Sequence, residues 1–253
     1  MFKNYLKVAF RSLNKNRTYA AINILGLALG LAVTILVFMF IKDETSYEKH
    51  WNDSERIYRT GIKANLMGQI MDAPVSPSPM ANAFRTEFTD VEDATRFNTV
   101  NQEIMVRYEQ NRVYIAKTVY ADSSFFKIFN YEFIHGDKIA ALKSENAMVI
   151  TEETSKKIFG DINPIGKVVR YDDRTDYIVR GVVKEPTGHS HFQFDMFLSR
   201  NTIRNVWMSN GNYTYVKLKE GANFEDFKTE MRRNFMKKIA PDVERFLKTS
   251  VEE

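Results

Sequence analysis

TYAAINILGLALGLAVTILVFMFI, from Thr18 to Ile41, is a run of 24 residues without a charge. As a helix it reaches about 36 Å, against a hydrocarbon core of about 30 Å, so it can cross a bilayer with some tilt. A cleavable signal peptide has a shorter apolar region, about 7 to 15 residues, and ends at a small-x-small site. Here Val37 to Ile41 is bulky throughout, which predicts an uncleaved transmembrane helix over 18–41. Lys3, Lys7, Arg11, Lys15 and Arg17 precede the span, and Lys42, Asp43 and Glu44 follow it. Cytoplasmic flanks collect Lys and Arg, which places the N-terminus inside and everything after about Lys42 on the extracytoplasmic side.

Within residues 1–17, Phe2, Tyr5, Leu6, Ala9, Phe10 and Leu13 recur at i, i+3, i+4, i+7 and i+8 spacing, with Lys3, Lys7 and Arg11 turned away. This is the pattern of a basic amphipathic helix. Such a helix lies along the inner membrane surface, its cations meeting anionic lipid or the acidic rim of a partner, or it serves only as a positive-inside anchor. Inside the span, Gly26 and Gly30 form G-x-x-x-G, which lets a second helix approach closely in lipid. Asn23 adds an amide that favours an interhelical hydrogen bond over hydrocarbon. Asn23, Gly26 and Gly30 are therefore the expected helix-packing residues.

The chain has 253 residues, a net charge of +4 and no cysteine, which excludes disulfides, thiolate metal sites and cysteine nucleophiles. The basic excess does not mark a nucleic-acid binder. All 32 acidic residues follow the span, where 31 of the 36 basic residues also lie, so the outer part is nearly neutral.

Beyond the span the sequence reads as α+β. Residues 43–55 form a helix or turn, followed by a strand over Arg56 to Ile62 and a proline-rich break ending in a helix at Met80–Phe88, with Ser78 as cap. Glu103–Tyr108 and Val113–Tyr120 suit a hairpin around Glu109 to Arg112, and a short helix at Ser123–Phe129 follows. Ala147–Ile150 is a strand leading into a helix at Thr154–Phe159, capped by Thr151 and ended by Gly160. Gly166–Tyr171 and Asp176–Lys184 should pair across Asp172 and Asp173. Tyr213–Lys219 is a strand, and Phe224, Phe227, Met231 and Phe235 mark one face of a helix capped by Asn223.

Chemistry is hard to place on this chain. Gly160 to Lys167 has five residues between its glycines and Val168 where a phosphate loop needs Ser or Thr, so no P-loop is present. His189, His191 and Asp195 have metal-type side chains but match no known spacing. His50 and His135 stand alone, and no nucleophile, base and orienter converge. No cofactor, metal or catalytic residue is expected. Phe125, Phe126 and Phe129 read as core, or else as a partner-binding groove.

The run Asn4 to Leu13 leading into Ile22 to Gly30 resembles permeases of the MacB/FtsX type of ABC transporter. Arg56-Ile57-Tyr58-Arg59, Ala121 to Phe126, Ile150-Thr151-Glu152 through Phe159-Gly160, and Asn163-Pro164-Ile165-Gly166-Lys167 resemble that family's periplasmic core domain. Gly181-Val182-Val183, Ser190-His191-Phe192 and Phe194-Asp195 continue the likeness in family order. Tyr47 to Trp51 departs from the family's Phe-Asp-x-Phe-His pattern.

The resemblance implies a cytoplasmic amphipathic helix (1–17), a transmembrane helix (18–41) and a MacB-like periplasmic core domain (42–253). That domain would be a mixed βαβ-type subdomain with a smaller β-rich insertion at about 136–190. It implies a non-enzymatic permease subunit in the inner membrane that transmits ATP-driven motion to the periplasm for export or extrusion. Its partners would be a cytoplasmic ABC ATPase, a second permease copy and the lipid bilayer, with no nucleic acid. Family members return to the membrane after this domain, whereas no second apolar run of about 18 residues occurs here, so a fragment or a truncated product is expected. The alternative is a single-pass sensor with an extracytoplasmic ligand-binding domain. About 17 cytoplasmic residues leave no room for its output module.

Overall fold

The computed structural model describes residues 2–45, 47–66, 69–186, 190, 193–200 and 206–247. It forms two compact units, Met1–Tyr47 and Glu48–Glu253.

The first unit holds α1 (Phe2–Lys15) and α2 (Arg17–Glu44). Asn16 separates them, leaving the helical region at φ −118° and ψ 58°. Hydrogen bonding carries on across the break, from Asn16 N–H to Ser12 carbonyl and from Ala20 N–H to Asn16 carbonyl. The Arg17 guanidinium donates to the Asn14 carbonyl at 3.2 Å, which satisfies one of the acceptors a helix end leaves open. Residues 43–55, expected as a helix or turn, hold the end of α2, turns at 47–50 and 52–53 and a turn of 3-10 helix at Ser54–Arg56.

In the second unit the chain runs β1 (Ile57–Thr60), β2 (Ile62–Leu66), β3 (Gln69–Ala73), β4 (Ser76–Pro77), α3 (Met80–Glu87), β5 (Val91–Val100), β6 (Ile104–Tyr108), β7 (Asn111–Ile115) and β8 (Thr118–Ala121). It continues through α4 (Phe125–Ile128), β9 (Phe133–Gly136), β10 (Ala147–Thr151), α5 (Glu152–Phe159), β11 (Val168–Tyr171), β12 (Thr175–Val183), β13 (Met196–Ser199), β14 (Asn210–Leu218) and α6 (Phe224–Leu247). Twelve strands of the described residues join one mixed sheet in the order β1-β14-β5-β8-β13-β10-β12-β11-β6-β7, with β4 on β14 and β9 on β12. β2 and β3 form a separate hairpin. The β8–β13 and β10–β12 pairs are parallel and the rest antiparallel. This is the mixed α/β architecture the sequence predicts. The strands of residues 136–190 run into the same sheet as those on either side.

Local chemistry explains most elements. Thr151 caps α5, its hydroxyl accepting from Thr154 N–H at 3.3 Å, and Gly160 ends the helix at φ 64°. Asn223 accepts from Glu225 N–H at 2.9 Å at the start of α6. The β6–β7 hairpin turns on Glu109, at φ 52°, with Tyr108 opposite Asn111. β11 and β12 pair as expected. Gly181 faces Gly136 where β9 meets β12, and a Cβ on Gly181 would stand 2.7 Å from the Phe133 ring.

Two expectations are corrected. Val113–Tyr120 is not one strand. Val113 to Ile115 pair with β6, whereas Thr118 to Ala121 pair with β5 and β13, so the chain breaks at Ala116 and Lys117 to change neighbours. Ser78 does not cap α3; Pro79 holds the cap position without a side-chain bond, because Arg96 engages Ser78 instead.

Side chains alternate across the sheet and fill three clusters. Phe97 of β5 joins Phe125, Phe126, Phe129 and Phe197 in one of them. The three α4-region phenylalanines are thus core, at most 1% exposed. Ala94 points the other way, beneath α3 and Phe227 of α6. A third cluster lies under α5, around Ile150, Ile158 and Met196.

Candidate functional site

β1, β14, β5 and β8 are sheet neighbours, and their register decides which side chains share a face. Arg59 is opposite Tyr215, Tyr215 opposite Thr95, Phe97 opposite Tyr213, and Thr99 opposite Val119. Directly opposed residues point to the same side and residues two apart do likewise. Arg59, Tyr213, Tyr215, Phe97, Thr99 and, one step past β8, Lys117 therefore share one face. There they line a cleft of about 720 Å³ that is closed on its other side by Ser190, Gln193 and Phe194.

The floor is aromatic: the Phe97 ring stacks on Tyr213 (5.5 Å between centroids) and Tyr215 (5.7 Å), with Phe194 edge-on at 5.6 Å. Burial pushes the Tyr215 hydroxyl up to about 12, against the pull of Arg59, which donates a hydrogen bond to it. Lys117 Nζ donates to the Gln193 side-chain oxygen Oε1 at 3.3 Å. Neither Arg59 nor Lys117 has a carboxylate within ion-pair distance among the described residues, and no Asp or Glu lines the cleft. Asp195, whose N–H bonds the Lys117 carbonyl, has a carboxyl raised by burial and lowered by Lys117.

A smaller cavity of about 260 Å³ adjoins it at Arg59 and Tyr215, with Glu48 and Trp51 in its wall. Glu48 accepts from Ser190 hydroxyl at 3.0 Å and from the Trp51 indole. His50 packs on Trp51 with ring centroids 4.1 Å apart, and burial lowers its pKa. These groups brace the start of the outer unit.

In the first unit, Lys3, Lys7, Arg11, Lys15 and Arg17 are all exposed. The first four repeat every fourth residue and make one cationic row along α1. Of the apolar side, Tyr5 is 73% and Leu13 46% exposed. α2 is one helix of 28 residues, mean hydropathy 2.8 over its most apolar window, with none of it buried. Asn23, Gly26 and Gly30 fall on one face, joined by Thr34 at the next turn. A Cβ on either glycine would meet nothing within 4 Å. The Thr34 hydroxyl donates to the Gly30 carbonyl at 2.8 Å, so its polarity is spent inside the helix. The Asn23 amide has no side-chain partner among the described residues.

His189 and His191 lie outside the described residues, and among those described no three His, Asp or Glu converge as metal ligands. His135 is exposed on β9. The cleft residues escaped sequence reasoning because they come from four separated segments. Only the alternation of Phe97, Thr99 and Asn101, and of Tyr213 and Tyr215, hinted that these side chains share one face of each strand.

A membrane-length apolar helix followed by a mixed α/β unit marks a membrane-anchored domain. The chain belongs to the family of the MacB-like periplasmic core domain, whose model matches residues 20–234. The match begins inside α2, so helix and outer unit together make up the family's pattern, that of an ABC-transporter permease-type domain. Solved structures resemble it. A domain assigned to a permease protein from Porphyromonas gingivalis is 25% identical, with a TM-score of 0.60 over 72% of this chain and 86% of that one. The periplasmic region of MacB from Actinobacillus actinomycetemcomitans is 14% identical, with a TM-score of 0.53 over 78% and 94%. The extracellular domain of the noncanonic ABC-type transporter YknZ from Gram-positive bacteria is 17% identical, with a TM-score of 0.47 over 64% and 83%. No curated protein matches by sequence.

Proposed function

We propose that this chain acts in a permease subunit of an ABC exporter or extruder, and that it passes ATP-driven motion from the cytoplasm to its periplasmic domain. The observation that carries this reading is the family match running from within α2 through the outer unit. It ties one membrane helix directly to a sheet domain with no catalytic constellation among its described residues. α1, with its cationic row and its exposed Tyr5 and Leu13, lies along the cytoplasmic membrane surface. There it meets anionic headgroups or the acidic rim of the ATPase. A second permease copy packs on the Asn23, Gly26 and Gly30 face of α2. Motion, rather than chemistry, is the contribution of the outer domain, and ATP is hydrolysed by the partner.

The test is co-expression with the ABC ATPase subunits of the source genome and capture through a tag on this chain. The ATPase is retained in mild detergent, and reversing Lys3, Lys7 and Arg11 to Glu lowers the retained fraction at least fivefold. Capture of no ATPase by the unaltered chain would overturn the permease reading and favour the single-pass sensor.

A further inference from the structure

The cleft on the β1–β14–β5–β8 face has a built asymmetry that the transport reading does not use. Arg59 stands at one end and Lys117 at the other, and the floor between them is Phe97, Tyr213 and Tyr215. The two ends are three strands apart, about 14 Å across the sheet. Along the strands, the Arg59 row meets β5 at Thr95, while Thr118 is opposite Val100 and Lys117 follows opposite Asn101. Those six residues add about 20 Å. A volume of about 720 Å³ spread along such a diagonal describes a narrow trough rather than a round pocket, and it falls within the size range of small-molecule sites. Cations at both ends lack a carboxylate partner among the described residues, and stacked rings cover the middle.

We propose that this trough binds an elongated amphiphile with an apolar middle and an acidic group at each end. Arg59 takes one acid group through its planar fork, and Lys117, held by Gln193, takes the other as a point charge. The aliphatic or aromatic middle lies on the half-buried Tyr213 and Tyr215 rings, which stack on the buried Phe97, and gains apolar contact there without desolvating a charge. The rings at the Arg59 end are hydroxylated, so the Tyr215 hydroxyl shares the first acid group. The proposal stands whether or not the chain couples to an ATPase.

The probe is tetradecanedioate, long enough to reach both cations, titrated by calorimetry into the full chain in phosphatidylcholine nanodiscs with the heat of empty discs subtracted. One saturable site per chain is expected. Hexanedioate, too short to bridge, binds at least tenfold more weakly. Arg59→Glu and Lys117→Glu each weaken tetradecanedioate at least tenfold, and Lys117→Arg, which keeps the charge at the point-charge end, stays within about threefold. Thr99→Trp fills the trough without touching either charge and abolishes binding, with circular dichroism confirming the fold of each variant. Absence of saturable heat overturns the proposal, as does unchanged binding in either charge-reversed variant or in Thr99→Trp.

Discussion

Arg96 is 1% exposed, a guanidinium inside the outer unit. Its Nε donates to both Asp122 carboxylate oxygens, at 3.1 and 3.2 Å, and Nη1 donates to the Ser78 carbonyl at 2.6 Å. Burial pushes the Asp122 carboxyl up, and the charge of Arg96 opposes this. Removing one partner of such a pair strands the other, so Asp122→Ala should destabilise by about 3–5 kcal/mol, read from the urea midpoint. A cost under about 1 kcal/mol would show that solvent reaches Arg96. Nearer the surface, Asp53 and Glu92 both bond Lys217, at 2.7 and 2.9 Å, and Arg56. Lys217 is the chief cause holding both carboxyls below their ordinary values of 3.8 and 4.5. A depressed carboxyl stabilises the fold fully above its unfolded value and loses that contribution as pH falls through the folded one. Thermal stability should therefore decline more steeply below pH 3.8 in the native chain than in Lys217→Met, and parallel declines would exclude the network as the cause. None of these partners was visible in the sequence: Ser78 carried a cap signal, yet its oxygens serve an arginine 18 residues away.

At the scale of elements, the signals that survived folding were those whose physics is local. The Thr151 cap, the Gly160 stop, the Asn223 cap and the β11–β12 turn each depend on residues within a few positions. The break between β7 and β8 depends on β5 and β13, far away in sequence, so Val113 to Tyr120 looked continuous. α2 carries the clearest local signal, and its face of Asn23, Gly26 and Gly30 is open. Gly26→Leu with Gly30→Leu would place two branched side chains on that face and keep a partner backbone away. Disulfide crosslinking between copies through an engineered Asn23→Cys should drop at least fivefold in the double variant. Undiminished crosslinking would move the interface to another face of the helix.

For the whole molecule, the absence of cysteine makes sidedness directly measurable. Ser144→Cys in the outer unit should react with a membrane-impermeant maleimide in spheroplasts, and Lys7→Cys only after permeabilisation. The reverse pattern would invert the assigned orientation. The general architecture was legible because an apolar run and a mixed α+β pattern are properties of composition and period. The cleft was not, since it exists only once β1, the first strand of the sheet in sequence, has paired with β14, the last. That pairing is antiparallel, with Ile57 opposite Lys217, so the main chain enters the sheet and leaves it toward α6 at one corner. Tension between these two ends would open the ladder one hydrogen bond at a time, as a zipper, at low force. A displacement that carries both ends together leaves the ladder unloaded and moves the sheet as a rigid handle. The corner is thus compliant when its ends are pulled apart and stiff when they are driven in common, the property of a coupling that yields before it tears.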